Sequence, residues 1–175
     1  MFNLWNFIAY QCAWFAVILG AGHGMPRAGA AVAIFVAAVH LALRRERVEL
    51  QLIGAAVIVG LLVDSALVIS GKVQFAAAWP QGLAPFWMLS LWIAFATTLN
   101  HSLRWLMMRP VAAALAGALG GPLAYLAGAR LGAVTLLEPL VSLALIAVLW
   151  ALAMGALAMV VLHAPGMPRA GRQAA

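Results

Sequence analysis

Two carboxylates stand inside otherwise apolar blocks of this 175-residue chain: Asp64, followed by Ser65, and Glu138, followed by Pro139. An ionised group costs about 2.5 to 3.5 kcal/mol at the centre of a membrane helix, so each acid requires a partner or a purpose. Tyr125 and Arg130 fall at a similar distance from the same predicted surface. Asp64, Ser65, Tyr125, Arg130 and Glu138 are therefore a candidate outer polar pocket. In one reading an acid binds a cation or relays protons while Arg130 holds an anion. In the other, an ion pair keeps the acid charged near the interface and fixes helix packing.

A second polar set, Asn3, Asn6, His40, Asn100, His101, Ser102 and Arg104, is predicted toward the opposite surface. His40 and His101 raise the question of a metal. The His-rich spacing that holds di-iron or haem is absent, so no metal or cofactor is assigned; Asn100 and His101 read as helix-capping or neighbour-bonding groups. No nucleophile can be assembled either. Ser65, Ser70, Ser90, Ser102 and Ser142 lack a Gly-x-Ser-x-Gly setting, and no phosphate-cradling glycine loop is present. Cys12 is alone, which excludes a disulfide framework.

The elements that must carry these residues follow from solvent. With 67% of residues hydrophobic, 8% charged and a mean hydropathy of +1.07, the chain has more apolar surface than a soluble domain can bury. The apolar residues come in continuous Ala, Leu and Val blocks, not in alternation, which points to helices and away from a transmembrane β-barrel. Crossing a bilayer core of about 30 Å takes about 20 helical residues. The sequence thus predicts an all-α polytopic bundle of six helices: Leu4 to Ala21, Ala28 to Leu43, Leu50 to Ile69, Phe86 to Trp105, Val111 to Ala127 and Ala133 to Leu162. The last block is long enough to tilt or to begin near Glu138-Pro139. No basic residue precedes Arg27, so the first block is expected to stay as a helix and not to be cleaved as a secretory leader. One domain is expected over residues 1–163, with a disordered basic tail at 164–175.

Orientation follows from the ten Lys and Arg, because cytoplasmic loops are the basic ones. Arg44, Arg45, Arg47, Arg104, Arg109, Arg169 and Arg172 fall on one side; Arg27, Lys72 and Arg130 fall on the other. Both termini are then cytoplasmic, in a bacterial inner membrane. A five-span alternative, with part of Val111 to Ala133 re-entrant, would separate them. The net charge of +6 is strung between spans and forms no basic patch, so membrane lipid is the expected partner and nucleic acid is not.

Small residues recur every four positions at Ala112, Ala116, Gly120, Ala124, Gly128 and Gly132, and again at Cys12, Ala16, Gly20 and Gly24. Such a smooth stripe allows close helix packing, within the chain or against a partner protein. Gly121-Pro122 is expected to interrupt it. The hexapeptide Gly-Met-Pro-Arg-Ala-Gly occurs at 24–29 and 166–171, a coincidence of loop composition.

The scattered residues Asp64-Ser65, Gly71, Trp79-Pro80, Pro85, Leu91-Trp92, Phe95-Ala96, Thr98-Leu99, Trp105, Gly121-Pro122, Ala124-Tyr125, Gly128 and Gly132 resemble a family of small multi-pass bacterial inner-membrane proteins that carry a domain of unknown function. That resemblance spans nearly the whole chain. It implies genes neighbouring cyclopropane-fatty-acid-synthase-like methyltransferases and flavin amine-oxidase-like proteins of light or singlet-oxygen stress, and it brings no catalytic residue. Three readings follow: an accessory or anchoring component of membrane-lipid modification, for which a lipid-modifying enzyme is the partner; a substrate-binding or transport subunit with an outward-facing pocket, similar in size to the substrate-capture components of energy-coupling-factor transporters; and an intramembrane lipid enzyme using Asp64 and Glu138 as acid and base.

Overall fold

A computed structural model describes residues 1–164. The chain runs α1 (Phe2–Gly22), α2 (Pro26–Leu43), α3 (Arg47–Ile69), β1 (Val73–Phe75), α4 (Phe86–Leu99), α5 (Arg104–Met107), α6 (Pro110–Arg130), β2 (Val134–Leu136) and α7 (Pro139–His163). Five of these helices, α1, α2, α3, α6 and α7, are long and apolar enough to cross a membrane. The basic tail, including the second hexapeptide, lies outside the described residues apart from Ala164.

Proline and glycine set the boundaries. Pro26, Pro110 and Pro139 each sit in the first turn of a helix, where the missing N–H costs nothing. Gly24 and Gly132, with φ of 74° and 80°, end α1 and α6 in left-handed turns. Each turn is closed by a bond from the next residue, Met25 N to Gly20 O at 2.7 Å and Ala133 N to Gly128 O at 3.0 Å. Gly121-Pro122 lies inside α6, which is one helix from Pro110 to Arg130.

The fourth apolar helix is shorter than expected. α4 stops at Leu99, so its 14 residues reach only about 21 Å. Thr97 and Thr98 turn their hydroxyls back onto the carbonyls of Ala94 and Phe95, both at 2.7 Å. Side-chain bonds of that kind compete with the helical ladder. The chain then turns through Asn100 to Leu103 before the single turn of α5. α4 is also the most enclosed helix, with Trp87, Trp92, Ala94, Ala96 and Leu99 at 0 to 2% exposure.

Strand structure is an addition to the all-α expectation. β1 and β2 pair antiparallel, with Gln74 opposite Thr135, and tie the α3–α4 connection to the α6–α7 connection. β2 occupies the first residues of the last apolar block, and α7 begins at Pro139, where the second reading of that block put its start.

The small-residue stripe is displaced by one position. The buried face of α6 is Ala113, Gly117, Gly121, Tyr125 and Gly128, whereas Gly120 has open space around it. A side chain at Gly117 or Gly121 would run into Met154 and Trp150 of α7. Only Gly128 belongs to both the expected stripe and the buried face, while Gly132 serves the turn beside Gly22. In α1, Gly20 does pack closely on Gly29 of α2, but Cys12 is exposed.

Candidate functional site

Two buried polar constellations occupy opposite ends of the bundle. The larger gathers around Glu49, which lies in the first turn of α3 and is 1% exposed. Its Oε2 lies 3.0 Å from His40 Nε2 on α2. Its Oε1 lies 3.1 Å from His101 Nε2 and accepts a hydrogen bond of 2.8 Å from Asn100 Nδ2, both in the turn after α4. Asn100 is held in turn by Arg104 at 3.2 Å. One carboxylate is thereby wrapped by three side chains from two other segments, which is how a charge survives burial.

Asn6 of α1 closes the other side. Its Nδ2 donates to the Thr97 carbonyl at 3.1 Å, one of the groups left over where α4 ends, and lies 3.4 Å from His40 Nδ1. Its Oδ1 accepts from Ser102 Oγ at 2.7 Å. With the amide nitrogen so placed, His40 Nδ1 is an acceptor and the ring hydrogen is on Nε2, facing Glu49. The Phe2 ring roofs the two imidazoles, with centroids 6.1 Å from His40 and 5.2 Å from His101. The Arg44 guanidinium lies over the same ring, 4.0 Å from its centre.

The second constellation is the fully buried Asp64 of α3. Its carboxylate accepts a bond from Trp92 Nε1 of α4 at 2.7 Å and another from the Tyr125 hydroxyl of α6. Behind them a small cavity of about 40 Å³ is walled by Tyr10, Trp14, Phe95, Tyr125 and Trp150. The Trp150 indole N–H is buried there with no hydrogen-bond partner among the described residues.

The expected outer pocket is thus only partly assembled. Tyr125 joins Asp64; Ser65 instead accepts from the Ala84 backbone N–H at 3.1 Å and anchors the loop before α4. Glu138 is at the surface, paired with Lys72 at 2.6 Å. Arg130 is exposed at the end of α6, on a groove with Trp14, Phe15, Leu123, Leu126 and Leu131. Asp64 and Glu138 do not face each other, which removes the geometry that a paired acid and base would need.

Of the expected inner set, Asn6, His40, Asn100, His101, Ser102 and Arg104 do come together. Asn3 is exposed and takes no part.

Residues 3–156 match the family described as a protein of unknown function, DUF2878. The chain belongs to that family. No curated protein and no solved structure matches it.

Family membership supplies no reaction, so the residues must be read by themselves, and one of them corrects the sequence reading. Glu49 is a second acid in α3 beside Asp64, yet Arg44-Arg45-Glu46-Arg47 just before it makes it look like part of a solvated connection. Helical spacing carries a signal: Val48, Glu49, Leu52, Ala56, Gly60 and Val63 continue one buried face of α3 back to its first turn. An acid on that stripe must be buried and must find partners.

Proposed function

We propose that this is a six-crossing protein of a bacterial inner membrane that binds a phospholipid in the groove between α1 and α6 and serves membrane-lipid modification as a non-enzymatic component. The observation that carries the reading is the groove itself. It has a volume of about 400 Å³, its walls are Trp14 and Phe15 on one side and Leu123, Leu126 and Ala127 on the other, and Arg130 stands at its end. An acyl chain suits the walls. A phosphate suits Arg130, which makes no ion pair among the described residues.

Trp14 also lines the cavity next to Tyr125, so one side chain forms a wall of both the groove and that cavity. α4, though short, is the sixth crossing in this reading, its reach completed by the turn at Asn100 to Leu103 and by α5. The basic connections at Arg44 to Arg47 and at Arg104 to Arg109 then face the cytoplasm, and Arg130 lies at the outer headgroup level. The resemblance noted from sequence favours a partner among lipid-modifying enzymes.

The test is cross-linking in native membranes with a phospholipid that carries a photoactivatable acyl chain. Labels concentrated on Trp14, Phe15, Leu123 and Leu126 support the proposal. Labels spread evenly around the exposed faces of α2, α3 and α7 would remove it.

A further inference from the structure

We propose that His40, Glu49 and His101 form a binding site for a divalent first-row transition metal at the Asn6 end of the bundle. Two imidazoles and a carboxylate are the donor set that such ions share, and the three residues come from α2, α3 and the turn after α4. Their donor atoms lie within 4.8 Å of one another, with His40 Nε2 and His101 Nε2 at 3.0 and 3.1 Å from the two oxygens of Glu49. Ligands about 2 Å from a common ion stand about 3 to 4 Å apart. A contraction of about an ångström in the widest donor separation closes the site.

The surroundings match what holds a metal ligand in place. Asn100 hydrogen-bonds Glu49 Oε1 and is itself fixed by Arg104, so the carboxylate has an outer support. The Phe2 ring packs beside both imidazoles and carries the Arg44 guanidinium over it, which covers this end of the cluster with an aromatic side chain. A groove of about 230 Å³ between α1 and α2, lined by Trp5, Asn6, Val36, His40 and Leu43, provides an entry path.

Binding has one internal requirement. An imidazole that coordinates through Nε2 carries its hydrogen on Nδ1, so His40 Nδ1 changes from acceptor to donor. Asn6 serves both states. Its amide turned over presents Oδ1 to His40 and Nδ2 to Ser102 Oγ, at the expense of the bond to the Thr97 carbonyl. Asn6 is therefore a positioning residue, and it links metal occupancy to the end of α4.

The test uses the full chain in mild detergent, stripped with a chelator and titrated with Co²⁺, whose visible absorption reports nitrogen and oxygen ligation, followed by competition with Zn²⁺. The wild type is expected to develop a saturable band at stoichiometric Co²⁺ that Zn²⁺ abolishes. Glu49→Gln and His101→Gln lose that band, and Asn6→Ala weakens Co²⁺ affinity by about 10- to 100-fold. Should a variant fail to fold, the wild type alone decides, since Zn²⁺ must raise the thermal midpoint of the stripped protein. A wild type that gives no saturable band and no shift with Zn²⁺ overturns the proposal, as does a band unchanged in His101→Gln.

Discussion

His40 Nε2 lies 3.0 Å from Glu49 Oε2, a contact that joins the end of α2 to the first turn of α3 in the most polar part of the buried interior. The chain between them, Leu43 to Arg47, is a short and charged connection, so the pair staples the end of one helix to the start of the next. His101 and Asn100 extend the staple to α4.

Removal of the Glu49 carboxylate strands three partners, the buried His40 and Asn100 and the half-buried His101. Loss of one member of a buried charged pair costs about 3 to 5 kcal/mol. Glu49→Ala is therefore expected to lower the thermal midpoint in detergent strongly. Glu49→Gln, which keeps one acceptor oxygen, is expected to cost clearly less. Equal midpoints for Glu49→Ala and the wild type would show that the cluster does not hold the bundle.

The Asp64–Tyr125 pair binds α3 to α6, with Trp92 of α4 as the second donor. Tyr125→Phe removes one hydrogen bond from a fully buried carboxylate and is expected to cost about 1 to 3 kcal/mol. Asp64→Leu with Tyr125→Phe is expected to cost less than the separate losses combined, as residues in contact do. Unfolding of the four proteins of that cycle in one detergent gives the coupling directly.

Glu138 provides the contrast. Its bond to Lys72 is 2.6 Å long, but the two side chains are 59% and 29% exposed. Water and salt screen such a pair, and its worth is about 0 to 1 kcal/mol. Glu138→Gln is expected to leave the thermal midpoint nearly where it was, against a marked fall for Glu49→Ala.

The close face of α6 makes a prediction that distinguishes it from the stripe one residue away. Gly117→Val and Gly121→Val drive a side chain into Met154 and Trp150 of α7 and are expected to destabilise the protein by about 1 to 3 kcal/mol. Gly120→Ala meets open space and is expected to be neutral or to gain up to about 1 kcal/mol from helix propensity. The reverse order would mean that the expected stripe is the true contact.

What could be read in the sequence follows from where each signal lives. Composition and block length were enough for a helical, membrane-compatible chain, since five helices are long and apolar. Period four brought out the smooth side of α6 but not its phase, because Ala and Gly fill nearly every position there and burial is decided by Trp150 and Met154 across the contact. Asp64 stood out as a charge amid apolar residues. Glu49 did not, because local charge density hides a residue whose burial depends on helix phase and on partners 9 and 52 positions away. The β1–β2 pair joins segments far apart in the chain, each only three residues long, and leaves no periodic trace.

The lipid reading is tested most directly by native mass spectrometry of the protein released from its membrane in mild detergent, comparing the wild type with Arg130→Gln and with Arg27→Gln as a control. The account predicts a retained phospholipid on the wild type and on Arg27→Gln, reduced by about tenfold on Arg130→Gln, in line with the loss of a charge-assisted hydrogen bond of about 1.4 kcal/mol or more. Equal phospholipid retention by all three proteins would contradict it.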